Sequence, residues 1–150
     1  MKKFKFSLEK VMEIKEIEEK VIQKNLMIVQ AQIYENEKKI SAMMEKISDE
    51  KEKVSTITKN LTHSVEIMLH YRYIESLNND LTNLKEALKM LRLSELQLKG
   101  QLLEKTREKK ALEKLKEIKY EEFRKEYNRE QQSFLDEISI QTHRLRTGNI

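Results

Sequence analysis

Stepping along the chain from Ile22 in alternating intervals of four and three residues picks out one line of side chains. It runs Ile22, Leu26, Val29, Ile33, Asn36, Ile40, Met43, Ile47, Glu50, Val54, Ile57, Leu61, Ser64, Met68 and Tyr71. Twelve of these fifteen positions are apolar in a chain that is 38% hydrophobic, so the spacing is a signal and not background. A mean step of 3.5 residues keeps one seam facing a partner helix, as in a coiled coil. Asn36 interrupts the seam, where a polar residue costs stability and helps to fix register. The first twenty residues follow another phase, with an apolar stripe of Phe4, Leu8, Val11, Ile14, Ile17 and Val21. A second seam begins at Leu77 and runs Leu81, Leu84, Leu88, Leu91, Leu98 and Leu102, with Glu95 as its polar member. It lapses into charge between Lys105 and Lys110, then resumes in a new phase with Ala111, Leu115 and Ile118. Beyond that the large residues turn aromatic, at Tyr120, Phe123, Tyr127 and Phe134.

The pattern predicts an all-α protein. Charge pairs at helical spacing, Glu16–Lys20, Glu35–Lys39, Asp49–Lys53 and Glu121–Lys125, agree with helix and contribute a few tenths of a kcal/mol each. The weakest helical stretch is Ser55 to Ser64, where six of ten residues are Ser, Thr or Asn. Their side chains compete for backbone hydrogen bonds and favour turns and caps, and Thr62 or Ser64 can open a new helix. The alternative turn is Ser76–Asp80. Taking the first gives a single coiled-coil domain over 1–150: helix 1 over about 4–57, a turn over about 58–64 and helix 2 over about 65–145. The expected fold is an antiparallel two-helix hairpin with unequal arms. Residue 4 folds back to about residue 118, and about 25 residues of the second helix overhang.

Composition narrows what such a chain does. Proline is absent, only Gly100 and Gly148 are glycine, and 37% of residues are charged. That is the composition of long helices. Whole-chain disorder is the reading that high charge would otherwise suggest, and the regular seam argues against it. The net charge of +4 is spread over both signs. A nucleic-acid binder concentrates its bases on one face, so no nucleic-acid partner is expected. No apolar run is long enough to span a membrane, and the basic opening Met1–Phe6 lacks the apolar core of a secretory signal. A cytoplasmic location is the default expectation.

No enzyme chemistry is expected. There is no cysteine, hence no thiolate nucleophile and no thiolate metal site. His63 and His70 lie seven apart without a carboxylate cluster, and His143 stands alone, so no metal is expected. No glycine loop cradles a phosphate. Neither a cofactor nor a catalytic residue is expected. Aromatics such as Tyr73, Phe123, Tyr127 and Phe134 instead suit protein interfaces, where large rings anchor binding.

Three segments carry a family resemblance. They are Phe4-Lys5-Phe6-Ser7-Leu8-Glu9-Lys10-Val11, the stretch Ser64 to Leu77 (SVEIMLHYRYIESL), and Lys105 to Asp136 with its acidic close at Asp136-Glu137. In order and position they resemble the flagellar FliJ family, the small component of the type III flagellar protein export apparatus. The resemblance implies a stalk similar to the central stalk of rotary ATPases, located in the cytoplasm and peripheral at the inner face of the cell membrane at the flagellar base. It implies three partners: a hexameric ring of export ATPase, the cytoplasmic domain of the transmembrane export gate, and export chaperones that the protein escorts. The free protein would be a monomer. By position, the gate-binding patch would carry over to Tyr73 and Leu77, with Met43 and Ile47 across the hairpin. His70 stands where the family usually has a tyrosine, with Tyr71 adjacent. The paired terminal region that would enter the ring holds Phe4, Phe6, Leu8, Phe123, Tyr127 and Phe134. The alternative is a structural coiled coil, a chaperone-like hairpin or a parallel rod dimer unrelated to export.

Overall fold

The structure, a computed structural model, describes residues 2–59 and 64–148. It is an all-α hairpin of two long helices packed against each other. Helix α1 spans Glu9–Lys59 and helix α2 spans Ser64–Thr147. The expected turn over 58–64 falls largely outside the described residues, as do Leu61, Thr62 and His63. Ser64 is the first residue of α2, and Glu66 places an acid in its first turn, where the helix dipole favours negative charge. The alternative turn at Ser76–Asp80 is continuous helix.

α1 starts five residues later than the sequence pattern suggests. Residues 2–6 are not helical, and the chain enters α1 through a turn in which the Glu9 amide donates to the Phe6 carbonyl at 3.2 Å. The Met12 amide donates to the Leu8 carbonyl at 2.9 Å and sets the helical register. The physical reason for the late start is lateral. From the non-helical opening Phe4 and Lys2 reach side chains of α2, described below.

Two compact units divide the hairpin: unit 2 is Glu19–Leu103, and unit 1 combines Met1–Glu18 with Glu104–Ile150. In unit 2 the described seam positions from Ile22 to Ile57 all turn away from solvent, Asn36 and Glu50 included. Facing them, Leu77, Leu81, Leu84, Leu88, Leu91, Glu95, Leu98 and Leu102 do the same. The tightest packing is one cluster of Ile47, Val54, Ile74 and Leu77, with Met43 and Leu81 against it. The Glu50–His70 hydrogen bond and the Glu37–Arg92 ion pair, each at 3.1 Å, cross between the helices, and the descending partner numbers mark antiparallel packing.

The sequence seam of α1 does not continue into α2. Ser64, Met68 and Tyr71 are exposed, and α2 opens its inward face at Ile67, His70 and Ile74 instead. Reversal of the chain resets the phase, because α2 meets α1 from the opposite direction.

The start of α1 and the middle of α2 overturn two further expectations. Continuing the 4–3 step back along α1 from Ile22 reaches Glu19, Lys15, Met12 and Leu8, and these are the residues that face inward. Val11, Ile14, Ile17 and Val21, expected in the core, are exposed. On α2 the seam does not lapse between Lys105 and Lys110. Lys105, Glu108 and Lys109 occupy it, followed by Leu112, Leu115 and Lys116, while Ala111 and Ile118 are exposed. Charge replaces apolar contact here because the facing charges are complementary. Lys15 lies 2.8 Å from Glu108, Glu18 lies 3.0 Å from Lys105, and Glu9 lies 2.8 Å from Lys116. An apolar-only reading of the pattern cannot see such a stretch.

Candidate functional site

Two places collect the residues expected to bind partners. The first is in unit 2. Leu77 is 5% exposed and Ile47 6%, both in the core cluster, and Met43 packs against it. Buried to that degree, Leu77 and Ile47 present almost no surface. Tyr73 is different: it is 41% exposed on α2, next to buried Ile74. The helical step explains the split, since neighbouring residues on a helix point about 100° apart and one of them faces the seam.

Beside this cluster lies a polar clasp that no sequence motif marks. His70 Nδ1 is 3.1 Å from Glu50 Oε2, and Lys53 Nζ is 3.2 Å from Glu50 Oε1. A carboxylate only accepts, so the His70 Nδ1–H donates. This hydrogen bond holds the Glu50 carboxyl below the usual carboxylate range against the opposing effect of burial, and Lys53 adds to the lowering. Glu50 stood out in the sequence only as an acid on an apolar seam. That was a usable signal, because an acid at such a position calls for a base on the facing helix. Of the other histidines, His63 lies outside the described residues and His143 is exposed. Among the described residues no group of three His, Cys, Asp or Glu side chains is arranged to hold a metal ion.

The second place is in unit 1. The Phe4 ring meets Tyr120 edge-on at 5.3 Å between centroids and Phe123 at 5.6 Å, and Phe123 stacks with Tyr127 at 6.2 Å. Edge and offset contacts at such distances suit the charge distribution of aromatic rings. Lys2 Nζ closes the group with a 2.7 Å ion pair to Glu130, which raises the lysine pKa above its ordinary value. Tyr120 joins the cluster although only its neighbours were expected at the site; the spacing Tyr120, Phe123, Tyr127 places all three rings on one helical face. Phe6 and Leu8 are half-buried where the chain enters α1. Phe134 stands apart and is 59% exposed. Every residue from 131 to 148 is exposed, with Leu135, Ile138, Ile140 and Leu145 among them. The arrangement offers surfaces for protein contact.

A family model described as "Flagellar FliJ protein" matches residues 4–148. The chain belongs to the FliJ family. Membership makes it a component of the flagellar protein export apparatus. No match is found among curated proteins or among solved structures. Among the described residues of this FliJ-family chain, no helix is long and apolar enough to cross a membrane.

Proposed function

We propose that the protein is a stalk that couples the export ATPase ring to the export gate and escorts export chaperones. In this reading it is a cytoplasmic monomer when free and reaches the inner face of the cell membrane only through its partners. The observation that carries the proposal is the asymmetry of the two helices. α1 has 51 residues and α2 has 84, and beyond the Lys2–Glu130 pair α2 continues with exposed apolar side chains and, among the described residues, no facing helix. Apolar side chains held out along such a helix mark a surface for another protein.

The ring would contact the terminal region through Phe134 and the composite surface of Phe4, Phe6, Leu8, Phe123 and Tyr127. The gate would contact Tyr73. Leu77, Ile47 and Met43 would serve the gate patch from beneath, by fixing the helix that displays Tyr73. The test is ATP turnover and ring assembly of the purified export ATPase with and without this protein. Phe134→Ala should reduce the stimulation several-fold while leaving the helical content unchanged. A partner ATPase whose turnover and assembly ignore the wild-type protein would refute the stalk reading and favour the unrelated structural coiled coil.

A further inference from the structure

α2 carries a second, outward surface within unit 2. The seam residues Leu91, Glu95, Leu98 and Leu102 face α1. On the far side of the same turns lie Leu93, Leu96, Gly100 and Leu103, spaced three and four apart, so they form one stripe. Leu96 is 68% exposed, and Leu93 and Leu103 are about half exposed. Among the described residues nothing covers them.

Gly100 is the second observation. Glycine inside a helix is destabilising relative to alanine, through the backbone freedom it loses on folding. A Cβ added at Gly100 would meet no atom within 4 Å. No contact inside the chain therefore requires a glycine in a helix otherwise free of Gly and Pro up to Gly148. What the missing side chain creates is a dent in the stripe, with Leu96 on one side and Leu103 on the other. A dent between leucines admits a large apolar side chain of a second helix and brings the two backbones close.

Charge is the third observation. Lys85, Arg92 and Lys99 recur at intervals of seven and form one edge of the stripe, and Lys89 lies in line with it. Arg92 pairs with Glu37 at 3.1 Å and Lys99 with Glu95 at 2.6 Å, yet both bases keep more than half their side-chain surface. The acid on this face is Glu86. The opposite edge, Met90 and Gln97, is uncharged.

We propose that this face, from Lys85 to Leu103, docks an acidic amphipathic helix of a partner protein. The partner helix presents a leucine-type stripe to Leu93, Leu96 and Leu103, a large apolar residue to the dent at Gly100, and acids at seven-residue intervals to Lys85, Arg92 and Lys99. The apolar stripe is about 15 Å long at 1.5 Å per residue, which fits about three turns of helix. The surface is distinct from Tyr73 and from the terminal aromatic cluster.

The test uses the full chain and two synthetic 21-residue helical peptides that share one leucine stripe. One carries glutamate along its flank and the other lysine. Hydrogen exchange read by mass spectrometry maps the contact, and fluorescence anisotropy of the labelled peptide gives the affinity. The acidic peptide should protect residues 85–103 and bind at least tenfold more tightly than the basic one, with an affinity that falls as salt rises. Gly100→Leu, which fills the dent, should weaken binding at least tenfold. Gly100→Ala should raise the melting temperature of the free protein and still weaken binding, which separates the docking role from folding. The proposal is overturned by equal binding of the two peptides, by absent or misplaced protection, or by a Gly100→Leu variant of unchanged affinity. Concentration-dependent doubling of the protein's mass that Gly100→Leu abolishes would assign the face to a second copy and overturn it equally.

Discussion

Leu77 separates packing from partner contact. It was expected to touch the export gate, and the structure buries it to 5% exposure against Ile47, Val54 and Ile74. Leu77→Ala removes three carbons from that cluster. At about 0.8 kcal/mol per buried carbon group the transfer loss is about 2.4 kcal/mol. A residual cavity adds to it, and buried Leu→Ala changes run about 2–5 kcal/mol. A two-helix hairpin relaxes more readily than a closed core, so the expected cost is in the lower half of that range, about 2–3 kcal/mol. Leu96→Ala is the matched control: the same residue type and the same helix, but 68% exposed. Its expected effect is within about 0.5 kcal/mol. Urea titrations followed by circular dichroism at 222 nm read both, with equal slopes required for the comparison. A Leu77→Ala cost no larger than that of Leu96→Ala would refute the assignment of Leu77 to the core. If gate binding is lost only in proportion to unfolding, Leu77 supports the surface from beneath; loss of binding in a fully folded Leu77→Ala protein would restore it to the contact itself.

Tyr73→Ala should show the opposite balance, with stability changed by at most about 0.5 kcal/mol and affinity for the purified gate domain reduced at least fivefold by calorimetric titration. Removal of residues 131–150 should leave the melting temperature within about 2 °C, because nothing from 131 to 148 is buried, whereas truncation from Glu126 should lower it further by removing Tyr127 and Glu130. Acid should loosen the hairpin. The carboxyls of Glu18, Glu50 and Glu108 are held below the usual range by hydrogen bonds from Lys105, His70 and Lys15 respectively. Groups with a lowered folded pKa contribute stability that is complete above the ordinary glutamate value of about 4.3 and is lost as pH falls through the folded value. Melting temperature should therefore be flat from pH 7 to 5 and drop below about pH 4, and the drop should be shallower in the Glu18→Gln, Glu108→Gln double variant.

The fold was legible where apolar residues alone define the interface. From Ile22 to Ile57 and from Leu77 to Leu102 the sequence seam and the inward faces coincide, because apolar side chains hold all but Asn36, Glu50 and Glu95 of those positions. It was illegible where charged residues pack by complementarity. Val11, Ile14, Ile17 and Val21 form a better apolar stripe than Lys15 and Glu19, yet Lys15 and Glu19 face inward. The reason is that α2 offers Lys105 and Glu108 at the same level, and a single helix carries no information about the charges opposite it. The site divided likewise. Aromatic spacing announced Phe123 and Tyr127. That Phe4 would leave the helix to reach Tyr120, and that Glu50 would find His70, depended on contacts between residues far apart in sequence. Burial of Leu77 agrees with the seam that begins there in the sequence, and exposed Tyr73 lies beside the inward-facing Ile74.

The ionic stretch of unit 1 has a consequence for how the two arms are matched. An apolar seam tolerates a slip of one heptad, because leucine meets leucine again. Here Lys15 faces Glu108 and Glu18 faces Lys105. Sliding α2 by seven residues would set Glu18 opposite Leu98 or Leu112, and Lys15 opposite Gln101 or Leu115, leaving each charge without an opposite charge to face. The four residues work as lock and key between the arms. Arms taken from two different family members would therefore not be interchangeable parts: a chimera should assemble only when both halves of the key are transplanted together, and the key itself can be moved to set the alignment of a designed hairpin.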